Sequence, residues 1–353
     1  MNITTVGADL AKDIITVYAA DAAGRVVEVR DLRRKDFSAW LIQLPKGCVV
    51  GMEACSGAHQ WARVMHGFGL TPKIMAAEFV KSSRKNRSSK NDRNDAEAIC
   101  TAVRQPNMRF VTVKSVEQQT RLAWHRVREG WKEERTALIN RTRGLLAEFG
   151  LVIARGSGAF DRGLAALIHD EAQPASLRGL LEPLQRELAA LDEQLALCDR
   201  TIAEQARSSV GAQRIQALTG VGVLTADAIT ANAADARDFK NARQFAAWQG
   251  LAPRQYSSGG KTKLGHISRR GDAYLRTLLV QGARSCVRVA LKREPAHLTR
   301  IEQWIMKLYL RVGYNKTLVA VANKHARMIW AILAKGEAYD ANAWQRYQVG
   351  ASR

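Results

Sequence analysis

The chain has 353 residues, of which 46% are hydrophobic and 25% charged, so a packed core is expected and general disorder is excluded. Lys and Arg number 54 against 33 Asp and Glu, which gives a net charge of +21. A compact chain this basic repels itself unless a polyanion binds it, so nucleic acid is the expected partner. No apolar run approaches the ~18–20 residues of a spanning helix, and the first residues lack a signal-peptide pattern. We therefore expect no membrane partner and a cytoplasmic protein that associates with the nucleoid when active.

The first 113 residues are predicted to form an α/β domain. Three short β-rich runs, ITTVGADL, IITVYAA and RVVEVRDL, follow one another closely, which favours an antiparallel meander. A helix near 36–44, the apolar strand CVVGMEA, a helix over roughly 58–68 and the strand PKIMAAE come next. Strands that alternate with helices after a meander predict a mixed sheet with helices packed on it.

A polar and strongly basic segment interrupts this domain at Lys81–Arg93. It reads KSSRKNRSSKNDR and contains six cations and no apolar residue, which predicts an exposed loop. Lys85, Arg87 and Lys90 are the residues of this loop that we expect to contact nucleic acid. A helix is predicted from Asp95 onward.

Residues 114–208 are predicted to form a helical linker. Leucines recur at helical or heptad spacing in two long stretches, one on each side of the Gly-rich break GLVIARGSGAF. The pattern favours a helical hairpin or a coiled coil, and both a dimerisation arm and an ordinary intramolecular bundle fit it. Residues 209–338 then form a mainly helical third domain with a basic Gly- and Ser-rich loop near 254–271, followed by a polar tail at 339–353.

Four acidic residues of the first domain are candidate ligands of a metal ion. Asp9 and Glu53 each lie at the end of a predicted strand, so both emerge at one sheet edge if the strands are neighbours. Asp92 and Asp95 are three residues apart at a helix start and share one face. Carboxylates so arranged can hold one or two Mg²⁺ ions against a phosphodiester. Taken singly, each Asp also fits an ordinary helix cap, and the adjoining basic loop favours the metal site.

A second group of candidate site residues lies in the third domain, in the segment GLAPRQYSSGGKTKLGHISRRGDAYLR. Ser257 and Ser258 precede two glycines inside an electropositive patch, where a serine can approach a phosphate closely. Such a serine acts either as a nucleophile or only as a hydroxyl that holds a phosphate, and composition alone favours the second role. The cations expected to bind nucleic acid here are Arg254, Lys261, Lys263, Arg269 and Arg270.

The segment LTGVGVLTADAITA, near the start of the third domain, is typical of a helix–hairpin–helix element. In such an element the amides of a Gly-rich turn and a helix start meet a backbone phosphate of DNA. Gly220-Val221-Gly222 also suits any tight helix–helix turn, so both interpretations stay open.

Taken together, these segments resemble the DEDD transposases of bacterial insertion sequences, in the one-ten family and more closely its eleven-eleven branch. The resemblance is carried by VGADLAKD, VVGMEACSG and KNDRNDAEAI in the first domain. In the third domain it is carried by LTGVGVLTA, the segment that contains the two serines, and YNKTLVAVANKHARMIW. The match covers most of the chain in the family's order, and this ordered set is specific although each piece alone is weak.

The resemblance implies a RuvC-like, RNase H-like first domain whose Asp9, Glu53, Asp92 and Asp95 bind Mg²⁺, a coiled-coil middle and a mainly α C-terminal transposase domain. By motif position, Ser258 would be the nucleophile of an enzyme that cuts and rejoins the DNA strands of an insertion sequence. The resemblance also implies a structured bridge RNA that guides the enzyme by pairing with donor and target DNA. A homo-oligomer, dimer or tetramer, is expected. The alternatives are a RuvC-like junction nuclease that uses metal-activated water and a non-catalytic nucleic-acid-binding scaffold.

Overall fold

A computed structural model describes most of the chain, over residues 2–84, 91–233 and 235–340. The predicted nucleic-acid contacts Lys85, Arg87 and Lys90 lie outside the described residues. The chain divides between Ser115 and Val116 into two units, each with a hydrophobic core of its own. The helical middle and the C-terminal part belong to the same second unit, and their separation into two domains stays a prediction.

The first unit is a mixed α/β structure, as predicted. Its elements are, in chain order, β1 (Thr5–Leu10), β2 (Ile14–Ala20), β3 (Val26–Arg33), α1 (Phe37–Leu41), β4 (Val49–Glu53), α2 (Ala58–Gly67), β5 (Thr71–Met75), α3 (Ala77–Ser82), α4 (Asp92–Val103) and β6 (Phe110–Val111). The strands form one sheet in the order β3-β2-β1-β4-β5-β6. The predicted antiparallel meander is confirmed in β1, β2 and β3, whereas β4 runs parallel to both β1 and β5.

One boundary in this unit differs from the prediction at the end of β5. The strand ends at Met75 rather than continuing through Glu78, because the chain turns at Ala76 into α3. Glu78 lies in the first turn of α3 and Lys81 in its last turn, where each charge is favourable for the helix dipole. Lys81 is therefore helical and does not belong to an exposed loop.

The start of α4 also differs from the prediction. The helix begins at Asp92, one turn before the predicted start at Asp95. Asn91 caps it, because its side-chain oxygen accepts a hydrogen bond from the backbone nitrogen of Asn94 at 2.8 Å. Both acidic residues consequently lie in the first helical turn.

The second unit is mostly helical. Its elements are α5 (Val116–Ala147), α6 (Ser157–His169), α7 (Ala175–Ser208), α8 (Val210–Gln216), α9 (Val223–Asn232), α10 (Ala242–Trp248), β7 (Pro253–Gln255), β8 (Leu264–Ile267), α11 (Ala273–Lys292), α12 (Arg300–Val312) and α13 (Tyr314–Lys335). Short 3₁₀ turns lie at Ala236–Asp238 and Pro295–His297. No helix of the described residues is both long and apolar enough to cross a membrane.

The two long helices, α5 and α7, pack against each other in antiparallel directions. Arg128 of α5 pairs with Asp199 of α7, and Arg135, two turns further along α5, pairs with Asp192, two turns back along α7. Buried leucines of both helices and Phe160 of α6 form a shared core. A helical hairpin of the kind that the leucine spacing favours is therefore present within one chain, and the dimerisation arm stays a prediction.

The stability of the second unit should depend on pH through His325 of α13. This side chain is 2% exposed, and burial lowers its pKa from 6.5 to about 4, with the charge of Lys324 adding to the effect. The unfolded chain binds the proton near pH 6.5, whereas the folded chain binds it only near pH 4, so stability is lost as the pH falls through this range. We expect this group to lower the free energy of unfolding by about 2 kcal/mol between about pH 7.5 and about pH 5.

Urea unfolding of the wild type and of His325→Leu at both pH values measures this contribution. The variant should lose less stability than the wild type over the interval, because its side chain does not titrate. Equal losses in the two proteins would contradict the prediction.

Candidate functional site

Two glycines on neighbouring strands lie directly beneath α4. Gly7 of β1 and Gly51 of β4 are register partners in the parallel pair. A Cβ on Gly7 would collide with the carbonyl oxygen of Ala96 and the backbone nitrogen of Cys100, and a Cβ on Gly51 would lie 3.0 Å from the Cβ of Val103. Glycine at these positions is what lets the backbone of α4 come this close to the sheet.

This close packing brings the four predicted acids to the same end of the sheet, on the face that α4 covers. Side chains alternate along a strand, so Asp9 and Glu53, each two residues beyond one of the glycines, point to the face that α4 covers. Because β1 and β4 run parallel and in register, these carboxylates leave the sheet at adjacent positions. The first turn of α4 adds Asp92, which is exposed, and Asp95, which is buried.

The pKa of Asp9 indicates that the four carboxylates interact. It is raised from 3.8 to about 6, first by burial and then by the charges of Asp95, Asp92 and Glu53, whereas the charge of Arg84 lowers it. Like charges this close repel one another unless a cation lies between them. The four acids therefore form one electrostatic cluster, which we call the acid cluster.

Arg84 supplies a positive charge to the acid cluster, and the sequence analysis did not single it out for this role. Its Nε lies 2.8 Å from Oδ1 of Asp95, and the side chains are 22% and 9% exposed. The angle of the guanidinium N–H does not meet that of a hydrogen bond, so the contact is an ion pair. Within the described residues, Oδ1 of Asp95 consequently has no hydrogen-bond donor.

The chemistry of the acid cluster fits Mg²⁺. All four side chains offer carboxylate oxygens, the ligands that this hard cation prefers. The buried Oδ1 of Asp95 lies 2.8 Å from Nε of Arg84, so this ion pair occupies it in the present arrangement. In the described ranges, no three His, Cys, Asp or Glu side chains are grouped so that they could hold a metal ion. The metal role of the four acids therefore stays a prediction.

A polar network that the sequence analysis missed ties the first turn of α4 to the outer strands. Arg93, between the two acids of this turn, donates from Nη2 to Oδ2 of Asp31 in β3 at 2.9 Å. The hydroxyl of Thr16 in β2 donates to Oδ1 of the same carboxylate at 2.9 Å. The bonds from Arg93 and Thr16 lower the pKa of Asp31. The network therefore joins the first turn of α4 to β3 and β2 at the surface, where such an exposed ion pair adds little stability.

We expect Gly7→Ala to disrupt the acid cluster. The added methyl group meets backbone atoms of α4, which cannot move aside as a side chain can, so the helix must shift. The free energy of unfolding should fall by about 1–3 kcal/mol, and the affinity for Mn²⁺, measured by titration calorimetry, should fall with it. Gly67→Ala is the matched control, because its Cβ would meet no atom within 4 Å. Unchanged stability and Mn²⁺ affinity in Gly7→Ala would show that the acid cluster does not depend on the close approach of α4 to Gly7.

The predicted basic loop at 254–271 is a β-hairpin. β7 pairs antiparallel with β8, and the backbone nitrogen of Lys261 donates to the carbonyl oxygen of Ser258 at 3.0 Å. Gly259 and Gly260, between them, have φ angles of +54° and +77°, which a two-residue type I′ turn requires. The prediction of a loop was wrong because both strands are largely exposed and therefore lack an apolar alternation.

The two adjacent serines at the hairpin tip differ in their hydrogen bonds. The hydroxyl of Ser257 accepts a hydrogen bond from the side-chain amide of Gln255 at 2.8 Å. Within the described part of the chain, the hydroxyl of Ser258 has no hydrogen-bond partner. Both residues are exposed, so Ser258 presents an unengaged hydroxyl beside the turn.

The predicted nucleic-acid contacts of this segment are all exposed, namely Arg254, Lys261, Lys263, Arg269 and Arg270. At the base of the hairpin, the backbone of residues 248–250 lies close against that of residues 269–271. A Cβ on Gly250 would collide with the carbonyl oxygen of Arg270, and a Cβ on Gly271 would collide with that of Trp248. Arg269 itself has a φ of +56°, which is uncommon for a residue with a side chain. The exposed tip therefore rises from a closely packed base.

A buried polar network links α5, α9 and α11. Asp227 of α9 is fully buried and accepts hydrogen bonds from Arg121 of α5, while its other oxygen lies 3.0 Å from Nε2 of His125. Nδ1 of His125 lies 2.9 Å from the hydroxyl oxygen of Tyr274 in α11, and burial raises the pKa of that phenol to about 12. The sequence analysis did not single out His125. The available signals were an aspartate inside an apolar helix and an Arg–His pair four residues apart.

The segment predicted as a helix–hairpin–helix follows α8 and consists of a tight turn and nearly all of α9. Gly220 in the turn has a φ of +86°, and a Cβ there would lie 2.6 Å from Sγ of Cys286 and from the carbonyl oxygen of Gly282. This glycine therefore packs directly on α11. Gly222 precedes α9 and would meet no atom with a Cβ, so the helix start is open on that side. The contact with a DNA phosphate stays a prediction.

Comparison with known proteins gives two family matches. Residues 6–150 match a DEDD transposase family of the IS110 type, and residues 212–298 match the family of IS116/IS110/IS902 transposases. The chain is 43% identical over 342 residues to a probable family 20 transposase of Pseudomonas aeruginosa, covering 96% of this chain and 99% of the relative. It is 40% identical to the transposase for insertion sequence element IS1111A of Coxiella burnetii, over 97% and 93% of the two chains. The transposase for IS1328 of Yersinia enterocolitica is 35% identical, over 96% and 99%.

Proposed function

The chain belongs to the IS116/IS110/IS902 family of transposases, enzymes that cleave and rejoin DNA, and we propose that it does so with the acid cluster and a serine nucleophile. The observation that carries the proposal is the electrostatic coupling of Asp9 to the three other acids on one face of the sheet. Such a cluster is unfavourable for a stable fold by itself and is expected where a cation must be held. The mixed sheet, with its meander followed by parallel strands, supports an RNase H-like fold for the first unit.

In this proposal, the acids hold the cation and orient the DNA. Asp9, Glu53, Asp92 and Asp95 would bind Mg²⁺, which neutralises charge that develops on the scissile phosphate. In this proposal, a phosphate approaches the acid cluster at the end of β1 and β4 where Asp9 and Glu53 lie. Arg84 balances part of the negative charge before the cation binds.

Ser258 is the proposed nucleophile. Its exposed hydroxyl has no hydrogen-bond partner in the described residues, whereas the hydroxyl of the neighbouring Ser257 is engaged by Gln255. The glycines that follow Ser258 add no side chains to the turn, so a phosphate can come close to its Oγ. The exposed cations of the hairpin would bind the neighbouring phosphates.

The reaction exchanges one phosphoester bond for another. The Oγ of Ser258 forms a bond to phosphorus while the bond from phosphorus to the 3′ oxygen breaks, and the serine proton ends on that released oxygen. The products are a 5′-phosphoserine and a free 3′-hydroxyl. After strand exchange, a partner 3′-hydroxyl attacks the phosphoserine and regenerates the serine, so rejoining needs no ATP.

The proposal includes a structured guide RNA and more than one copy of the chain. The net charge of +21 suits a protein that holds RNA and DNA together while base pairing reads the sequence. The acids and Ser258 belong to different units, so they must meet at one phosphate either within a chain or between two copies. A homo-oligomer is compatible with either arrangement.

We expect Ser258→Ala to abolish both cleavage and the covalent protein–DNA adduct, with cleavage reduced by about 1,000-fold or more. A DNA strand labelled at its 3′ end reports the adduct as a shifted band on a denaturing gel, because this fragment carries the 5′ phosphate. Ser257→Ala is the matched control and should cleave within about ten-fold of the wild type, since its hydroxyl serves only the local hairpin. Cleavage without an adduct in Ser258→Ala would instead support a junction nuclease that uses metal-activated water.

We expect Asp9→Asn and Asp95→Asn to weaken metal binding and cleavage together. Each removes a charged ligand, so cleavage should fall by about 100-fold or more, and Mn²⁺ affinity should fall when titration calorimetry is done without DNA. Glu28→Gln, on the outer strand β3, removes one charge outside the acid cluster and should change neither. Normal recombination by both aspartate variants would favour a non-catalytic scaffold.

A further inference from the structure

A basic cleft lies on the first unit beside the loop that follows β1. Its volume is about 790 Å³. The residues that line it are Lys12, Asp13, Ile14, Arg33, Arg34, Lys35, Ser38, Gln60 and Trp61. Four of these residues are cations and one is an acid, and Arg33 pairs with the neighbouring Asp36 at 2.7 Å. Three cations therefore remain against one carboxylate, which makes this cleft attractive to a polyanion.

The cations of the cleft are of two kinds. Arg34 is held in place, because its Nη1 donates to the carbonyl oxygen of Ala11 at 3.0 Å and its guanidinium lies 5.6 Å from the ring centre of Trp61. Lys12 and Lys35 are exposed and have no carboxylate partner within the described residues. Their charges are thus available to a ligand, whereas Arg34 helps to shape the wall.

Trp61 adds a fixed aromatic wall to the cleft. The residue is 6% exposed, and its ring makes an edge-to-face contact with Phe37, with ring centres 4.8 Å apart. The guanidinium of Arg34 lies over this ring. The charge of Arg34 is therefore kept at the wall of the cleft, where it adds to the charges of the two lysines.

The cleft lies close to the acid cluster along the chain. Lys12 is three residues beyond Asp9, so their Cα atoms are at most about 10 Å apart. Phosphates of one DNA strand repeat about every 3.4 Å along the helix axis. A strand with one phosphate at the acid cluster therefore has others within reach of the cleft.

We propose that the cleft formed by Lys12, Arg34, Lys35 and Trp61 binds a backbone phosphate of the nucleic-acid strand that reaches the acid cluster. The lysines neutralise the phosphate, and Trp61 holds the guanidinium of Arg34 at the wall of the same cleft. This inference rests on the proposed function and adds a positioning subsite to it. The shared chemistry is a phosphodiester, which a DNA strand and the guide RNA both carry.

The test is a binding titration of the full chain with EDTA present, so that no cleavage occurs. The probes are a fluorescein-labelled 20-nucleotide DNA strand, the RNA strand of the same sequence and the DNA duplex, each titrated at several salt concentrations. Lys12→Gln and Lys35→Gln should each weaken binding by about five- to ten-fold near 0.1 M salt and lower the salt slope by about one. Lys46→Gln is the matched control, because this exposed lysine precedes β4 at the opposite end of the sheet.

The outcomes are distinct from those of the Ser258 experiment. Equal affinities and slopes for Lys12→Gln, Lys35→Gln and Lys46→Gln would overturn the phosphate subsite, whatever Ser258→Ala does. Loss of binding in the first two variants supports the subsite even if Ser258→Ala still cleaves DNA. A loss confined to the DNA probes assigns the cleft to the DNA strand, and one confined to the RNA probe assigns it to the guide.

Discussion

The close contact between α4 and the sheet at Gly7 and Gly51 is the constraint on which the acid cluster depends. Two of the four carboxylates come from strands and two from the helix, so their separation is set by how near the helix can lie. The Asn91 cap determines where the helix begins. The distance of the helix from the sheet and the position of its start together decide where the helical acids lie, and neither depends on the acids themselves.

Two groups of opposite charge lie in the first unit, the acid cluster and the basic cleft. Four carboxylates repel one another and also repel a phosphate, and the pKa of Asp9 near 6 is a consequence of that repulsion and of burial. Arg84 offsets part of it through its ion pair with Asp95. The adjoining cleft carries the opposite charge, with Lys12 and Lys35 open to a ligand. The first unit therefore carries a negative and a positive group of side chains side by side.

The second unit combines a closely packed interior with an exposed hairpin tip. Asp227 engages Arg121 and His125 in the interior, and removing one partner from such a buried pair typically destabilises a protein by about 3–5 kcal/mol. The hairpin tip has no such packing, and its turn is defined by backbone conformation at two glycines. A hydroxyl at that tip can meet a large polyanion without displacing the core, because its exposure is part of the fold.

The sequence by itself determined the α/β character of the first unit, its meander, the mainly helical remainder and the family, because alternation, helical periodicity and ordered motifs are local in the chain. It also singled out the four acids, since each ends a strand or opens a helix. It missed Arg84, Asp31 and Asp227, whose partners lie between 11 and 106 residues away along the chain. It misread the hairpin because its exposed strands lack an apolar pattern. The tertiary structure decided that the charges of the other three acids act on Asp9, because this depends on how α4 packs on the sheet. It also decided that the hydroxyl of Ser257 accepts a hydrogen bond from Gln255, whereas that of Ser258 has no partner in the described residues, because this depends on a contact across a turn.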